Sequence, residues 1–483
     1  MSTPVANGDT RLTRWLRVRE FAVPPSMIET ATARRTVGDW AGACAAARLD
    51  VDLDLRTVAR TWGRDLAGRI RADLRRLAPD LLRWHLPRIA PDGLLRPELT
   101  IALARYDIEG DRTRPVHLVV RTPPAWADGG QRVSLTVRDG SRSTPADRAH
   151  PHPNPSRRFR LDLHRHLWDA GRAHELRLRA GDFDPNAGIP DGEPCPAVDR
   201  WAEEALILLR AEASAEGPSR ERERGRAPAC GPTGARRVAV RLSRRDRLIL
   251  ELHPGDHDMS PAGHPGVPPA LTITRADGMP DGLPVLPDAA TWLPPDLELL
   301  AAGLIEPGRL HPLVAAALAP GHVAELPPAA GESDPYLVEC QGALHRIGLV
   351  DGVLSAPDHH PDEIRREELL RAFGGPQLPC LAAVDRALRA PHCLPDVRER
   401  LRHGDVTGAL DAVERLLGPD AVLRDGPLRE ELVAAAERRV IHGLFRAGLT
   451  YSDARRVRLP APRRRARTLA QVPRSRPRHA MAR

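Results

Sequence analysis

The sequence predicts an α+β protein built from several modules: a helical N-terminal part, an antiparallel β-rich part, a second β-containing region, a C-terminal helical bundle and a disordered basic tail. Three observations carry that expectation. Apolar residues recur at helical spacing near both ends of the 483-residue chain. Between Leu99 and Arg179 the apolar period falls to two. Proline, at 49 residues, is roughly twice its usual share and collects in the middle and at junctions.

Residues 11–90 read as helices. Pro25 and Ser26 open a run from Met27 to Val37 that stops at Gly38, and Asp39 caps the next, Trp40–Arg48. A third runs from about Leu55 to Leu77, with Val58, Trp62, Leu66, Ile70, Leu74 and Leu77 on one side. Pro79 and Pro87 bracket a short helix holding Leu81, Leu82 and Trp84. Five stretches then read as strands: Leu99–Tyr106, Val116–Arg121, Arg132–Arg138, Arg158–Leu163 and Glu175–Arg179. Arginines on alternate positions (Arg158, Arg160, Arg177, Arg179) mark a solvated sheet face. Asp199–Glu212 returns to helix.

The charged, low-complexity stretch 214–236 reads as a linker. A hairpin follows, Val238–Leu242 with Leu248–Leu252, then a strand near Leu271–Thr274 and two short helices near Leu297–Leu304 and Leu310–Leu318. Tyr336–Glu339, Leu344–Leu349 and Val353–Ser355 form a meander, turned at Gln341-Gly342 and Asp351-Gly352. Residues 361–449 are helical, ending with Pro427–Phe445. The division is 1–95, 96–213, linker 214–236, 237–357, 358–450 and tail 451–483. Trp15, Trp40, Trp62 and Trp84 belong to the core, and one left exposed on a helix face would be a docking anchor.

Charge divides by position. All 72 basic residues are arginine. From Ala454 onward there are 11 arginines and no acid, so residues 1–453 carry 61 arginines against 64 acids and the formal +8 comes from the tail. Glu251–Cys340 holds 13 acids and two arginines, net −11. A basic end and an acidic middle point to contact with each other or with charged partners. Arginine for lysine, scarce asparagine and abundant alanine, glycine and proline fit a GC-rich bacterial coding bias. The absence of lysine excludes P-loop, Schiff-base and kinase-type lysine chemistry, and no GxGxxG run is present. No apolar run of 18 residues and no apolar leader segment occurs, so neither a membrane span nor a secretory signal is expected. Six scattered cysteines without a CxxC fit reduced, buried thiols in a cytoplasm.

The densest metal-type cluster is Asp358-His359-His360-Pro361-Asp362-Glu363, where a strand ends and a helix begins. It resembles the signature triplet of the DHH phosphoesterases. That resemblance implies a divalent metal held by Asp and His beside a phosphoester, together with an upstream Asp-x-Asp after a strand, a form that Asp182-Phe183-Asp184 has. It also implies a parallel α/β core, whereas the strands read around both positions are antiparallel. A helix N-terminus accounts for the same residues: Asp358 or His360 caps, Pro361 sits first, and Asp362 and Glu363 suit the dipole. His253, Asp256, His257, Asp258 and His264 read as solvated loop, His164 and His166 as a polar sheet edge, and the paired acids Glu203-Glu204 and Glu367-Glu368 as solvated helix faces. No catalytic, cofactor or metal residue is assigned.

Gly38-Asp39-Trp40-Ala41-Gly42-Ala43-Cys44 is echoed by Gly404-Asp405-Val406-Thr407-Gly408-Ala409-Leu410. In both, a helix stops at glycine and aspartate caps the next. The pattern is similar to the helical hairpin of tetratricopeptide-type repeats without their tandem array.

The function expected is that of a non-enzymatic, cytoplasmic bacterial scaffold. It takes no cofactor and binds an unidentified protein partner through helical hairpins and the tail. The binding residues are Arg463, Arg464, Arg465, Arg467, Arg474, Arg476 and Arg478, whose guanidinium forks match phosphate or carboxylate oxygens. Weak, nonspecific nucleic-acid binding through those arginines is the alternative. A metal-dependent phosphoesterase using Asp358, His359 and His360 is the second.

Overall fold

The fold of this computed structural model is α+β. It describes residues 11–108, 111–139, 150–181, 194–223, 236–243, 245–253, 270–275, 282–321 and 336–449. The tail arginines Arg463 to Arg478, the pair Asp182 and Asp184, and Asp256, His257, Asp258 and His264 lie outside the described residues.

The N-terminal body opens with α1 (Arg11–Arg17), α2 (Pro25–Thr36) and α3 (Trp40–Ala46). Gly38 takes the left-handed conformation (φ 81°) that ends α2, and the Asp39 carboxylate caps α3 by accepting from the Gly42 N–H at 2.8 Å. A three-residue strand, β1 (Leu49–Val51), follows. Asp54 then caps α4 (Leu55–Trp62), and α5 (Arg64–Arg76) and α6 (Pro79–His85) complete the helical layer. Strands β2 (Thr100–Ile108), β3 (Asp111–Arg121) and β4 (Val133–Arg138) run antiparallel, and β1 adds to β4 in parallel, giving the order β1-β4-β3-β2. Trp84 is fully buried, and Trp15, Trp40 and Trp62 pack half-buried against the same core. None of the four is an exposed anchor.

Two expected strands are not strands. Arg158–Leu163 is loop, joined to the sheet by one bridge between Ala102 and Arg160, and Leu176–Arg179 is a short helix, α7. Arg158 and Arg160 alternate because each meets an acid. Arg158 pairs with Asp288 at 2.6 Å, and Arg160 with Asp162 at 2.8 Å and Glu212 at 2.7 Å. Helix α8 (Trp201–Glu223) runs well into the stretch expected to be linker; residues 224–235 lie outside the described residues. Its Trp201, Ala205 and Leu208 cover the antiparallel sheet β5 (Arg236–Arg241), β6 (Arg247–His253) and β7 (Ala270–Arg275).

The chain then returns to the N-terminal body through α9 (Asp288–Thr291), α10 (Pro295–Ala301) and α11 (Pro312–Leu318). Leu297, Leu299, Ile305, Leu310, Val314 and Leu318 share one core with Val18, Ile70, Leu82, Ile101 and Leu118. One core therefore crosses the boundaries expected at 95 and 237. The acidic block supplies the lock. Asp296, fully buried, accepts from Arg19 Nε and Nη2 at 2.7 and 2.8 Å and from the Trp84 indole at 3.2 Å. Glu298 pairs with Arg11, and His311 meets Asp80 at 3.0 Å. Part of the negative charge read as a partner surface is thus internal.

The C-terminal part begins with the antiparallel meander β8 (Tyr336–Cys340), β9 (Ala343–Val350) and β10 (Val353–Ser355). Helices α12 (Pro361–Ala372), α13 (Pro379–Arg389), α14 (Leu394–Arg402), α15 (Val406–Leu417) and α16 (Pro427–Arg446) follow. The second glycine–aspartate junction repeats the first: Gly404 has φ 85°, and Asp405 accepts from the Gly408 N–H at 3.2 Å. This junction faces the N-terminal body. The buried guanidinium of Arg83 donates to the carbonyl oxygens of Ala22 (3.0 Å), Gln131 (2.6 Å) and His403 (3.4 Å), tying helices, sheet and C-terminal bundle at one point. The second hairpin junction is therefore spent on an internal interface, whereas Gly38 of the first is exposed.

Candidate functional site

The triplet expected at 358–360 is where the structure gathers chemistry, with different members. Gln341 and Gly342 both have positive φ (55° and 81°), the turn geometry that suits the twist of a two-residue hairpin. The register pairs Val338 with His345 and Cys340 with Ala343, so the two-residue period puts Cys340 and His345 on one face. A second such turn at Asp351-Gly352 (φ 51° and 78°) sends β10 back along β9 and leads to Asp358.

The three triplet residues diverge. Asp358 accepts from the Arg346 backbone N–H at 2.6 Å and pairs with its guanidinium at 3.0 Å, pinning the loop to β9. These contacts hold its carboxyl below the usual range, the side-chain bond from Arg346 contributing most. His360 is exposed and caps α12, accepting from the Asp362 N–H at 3.3 Å, the helix-start role the sequence offered it. His359 alone turns inward. Its Nδ1 lies 3.2 Å from Glu363 Oε2 and its Nε2 lies 2.8 Å from His345 Nδ1.

Helix α13 delivers the fourth group. Pro379 opens it, and Cys380, fully buried, sits one residue further on. The donor atoms of Cys340, His345, His359 and Cys380 all lie within 4.8 Å of one another. Burial, joined by a hydrogen bond to the Cys340 thiol, pushes the Cys380 thiol up to about 11. Among the described residues no other group of three or more His, Cys, Asp or Glu converges in this way. Two sulfurs and two imidazole nitrogens form a donor set for a soft or borderline cation. No carboxylate among the four is placed for proton transfer. The alternation along β8 and β9 was legible in the sequence. Cys380, 40 residues past Cys340, gave no local signal.

The other clusters resolve into structure. His164 and His166 are buried rather than at a sheet edge, and His164 lies 2.9 Å from the Arg160 carbonyl and 3.3 Å from Glu204. Glu204, expected to be solvated, is buried. Burial alone would raise its pKa, but hydrogen bonds from His164 and Arg179 outweigh it and hold the carboxyl at about 2. A cleft of about 460 Å³ between α5, β2, the 160–165 loop and α8 is walled by Arg69, Arg76, Arg105, Arg160 and Arg165. Its guanidinium groups are largely taken: Arg165 and Arg76 by Asp73 (2.5 and 3.0 Å), Arg105 by Asp107 (3.2 Å), Arg160 by Asp162 and Glu212. It is a charge-balanced wall rather than an anion cradle.

No helix among the described residues is long and apolar enough to cross a membrane. No protein-family model, no curated protein and no solved structure matches this chain.

Proposed function

We propose that this chain is a non-catalytic cytoplasmic scaffold that engages a protein partner through α12. One observation carries the reading: α12 has no buried residue, although it spans 12 residues and carries apolar side chains. Leu369 is 56% exposed, Leu370 52% and Phe373, just past its end, 88%. Phe373 follows Leu370 by three residues and Leu369 by four, the spacings that place it beside both. An isolated helix of this length is marginal in water, so packing normally stabilises one. Here the stretch is instead held at its ends, by His359 before it and Cys380 after it. A helix displayed with two leucines and a phenylalanine fits recognition by an apolar groove. Acids and arginines alternate on its remaining faces, so recognition would rest on shape and apolar burial. The buried thiols of Cys44, Cys195, Cys340 and Cys380 are unpaired, which supports a reducing compartment.

The test is site-specific photo-crosslinking from position 373 in cells. A discrete adduct is expected, and the purified partner should bind the wild-type chain saturably and lose at least about tenfold in affinity with Phe373→Ser. Diffuse adducts with no saturable binding would remove the reading.

A further inference from the structure

We propose that Cys340, His345, His359 and Cys380 hold one zinc ion in a closed, four-coordinate structural site, with Glu363 as the outer partner of His359. This goes beyond the docking reading and stands without it.

The donor chemistry is selective. Magnesium and calcium take oxygen ligands, and the nearby carboxylates are occupied, Asp358 by Arg346 and Glu363 by His359. Two thiolates with two imidazoles in a tetrahedral arrangement mark zinc. The distances are compatible. With bonds of about 2.3 Å to sulfur and 2.0 Å to nitrogen, donors of a tetrahedral centre lie about 3.3–3.8 Å apart. The four donor atoms here lie within 4.8 Å of one another, and the two ring nitrogens are 2.8 Å apart. Changes of up to about 1 Å in the separations between donors would admit the ion.

The surroundings are built for it. The Glu363 carboxylate at His359 Nδ1 fixes that ring so that Nε2 faces the other donors, the role carboxylates commonly play behind metal-bound histidines. Cys340, Cys380 and His359 are buried. Four protein ligands leave no open position, which separates a structural from a catalytic centre. Charge closes as well: one dication binding two thiols as thiolates releases two protons and leaves a neutral centre, suited to burial.

The fold needs a staple here. Cys340 and Cys380 belong to a small buried cluster completed by Ala356 and Leu378, distinct from the main C-terminal core around Val397 and Leu417. So few side chains bury little apolar area, and small units in that position commonly use a metal. The ligands come from the end of β8, from β9, from the loop before α12 and from the start of α13, so one ion would cross-link all of them. The spacing C-x4-H-x13-H-x20-C follows from that sheet–loop–helix origin.

The full-length chain, purified without a polyhistidine tag, is analysed for metals after gel filtration. About one zinc per chain is expected. Cobalt(II) loading should give the visible bands of a tetrahedral site and a thiolate charge-transfer band. Cys340→Ser and Cys380→Ser should each abolish both signals. His360→Ala, which removes the exposed neighbour of a ligand, should keep full zinc and cobalt signals. Glu363→Gln retains all four donors and should lower zinc affinity roughly 10–100-fold in chelator competition. That variant keeps the test decisive if the cysteine variants fail to fold. Lack of zinc and of cobalt bands in wild-type chain incubated with each metal overturns the proposal. So does stoichiometric zinc that survives both cysteine substitutions, or a Glu363→Gln affinity equal to wild type. None of these readouts depends on a partner, so they fail or succeed apart from the docking function.

Discussion

Arg48 Nη1 donates at 2.9 Å to the carbonyl oxygen of His403, joining the end of the first helical hairpin to the turn of the second across 355 residues. Its Nη2 also reaches Asp405, the carboxylate that caps α15. The second glycine–aspartate junction thus meets the C-terminal end of α3, and Arg83 donates to the same His403 carbonyl oxygen, while Gly38 of the first junction is exposed at the other end of that helix.

Arg83→Ala should be among the most damaging single substitutions. It removes a buried guanidinium bonded to three carbonyl oxygens and takes its donor from those of Ala22 and Gln131, while His403 keeps the bond from Arg48. A loss of about 3 kcal/mol or more in urea unfolding is expected. Arg48→Ala, half-buried, should cost about 1–2 kcal/mol. Equal, small effects would show that the interface tolerates both.

Asp296→Ala should cost about 3–5 kcal/mol, because it strands the buried Arg19 charge and the Trp84 indole. The Arg19→Ala, Asp296→Ala double variant should cost clearly less than the sum of the singles. Strict additivity in the unfolding series would deny that the pair acts as a unit.

Acid should weaken the fold through buried histidines. Burial lowers His85 and His117 to about 4 and His403 to about 3. At His403 the neighbouring charges of Arg88, Arg83, Arg402 and Arg48 add to burial, and Glu399 stands 3.9 Å away. Neutral when folded, each of the three takes up a proton on unfolding below its ordinary value of about 6.5. The unfolded state then binds more protons, so stability falls as pH drops from there toward the folded values, by up to about 1.4 kcal/mol per pH unit per histidine. His403→Gln should therefore lose about 2 kcal/mol less than wild type between pH 7 and 5. Parallel losses in the two proteins would refute this.

The docking helix should separate binding from stability. Leu370→Ser and Phe373→Ser should each change unfolding free energy by no more than about 0.5 kcal/mol, while Leu370→Ser removes the position-373 adduct and Phe373→Ser lowers affinity for the purified partner. A large stability loss would mean that the helix is packed in solution.

Truncation to residues 1–453 removes 11 arginines. The full-length chain should be retained on duplex DNA at low salt and released at moderate salt, and the truncated chain should pass through. Equal retention would place any nucleic-acid affinity elsewhere.

Elements whose signals are local were legible in the sequence. Asp39 and Asp405 cap the helices beside them, and the turns at Gln341-Gly342 and Asp351-Gly352 set the meander. What escaped depends on distant partners. The three-residue β1 is defined by parallel pairing with β4, with Leu49 opposite Val133. The alternation of Arg158 and Arg160 imitates a strand, but it reflects acids, Asp288 and Glu212 among them, that the fold brings to them. At the candidate site His359 stood out beside two residues that do other work, while Cys340 and Cys380 become neighbours only when α13 packs against β8.

The return of residues 288–318 to the N-terminal body fixes an order for synthesis. Arg19 is made almost 280 residues before Asp296, the carboxylate that neutralises it, so a nascent chain must carry that cation in an unfinished core until most of the polypeptide has left the ribosome. Ending the chain near residue 213 would leave the same defect permanently, and fragments cut there should be recovered as aggregates.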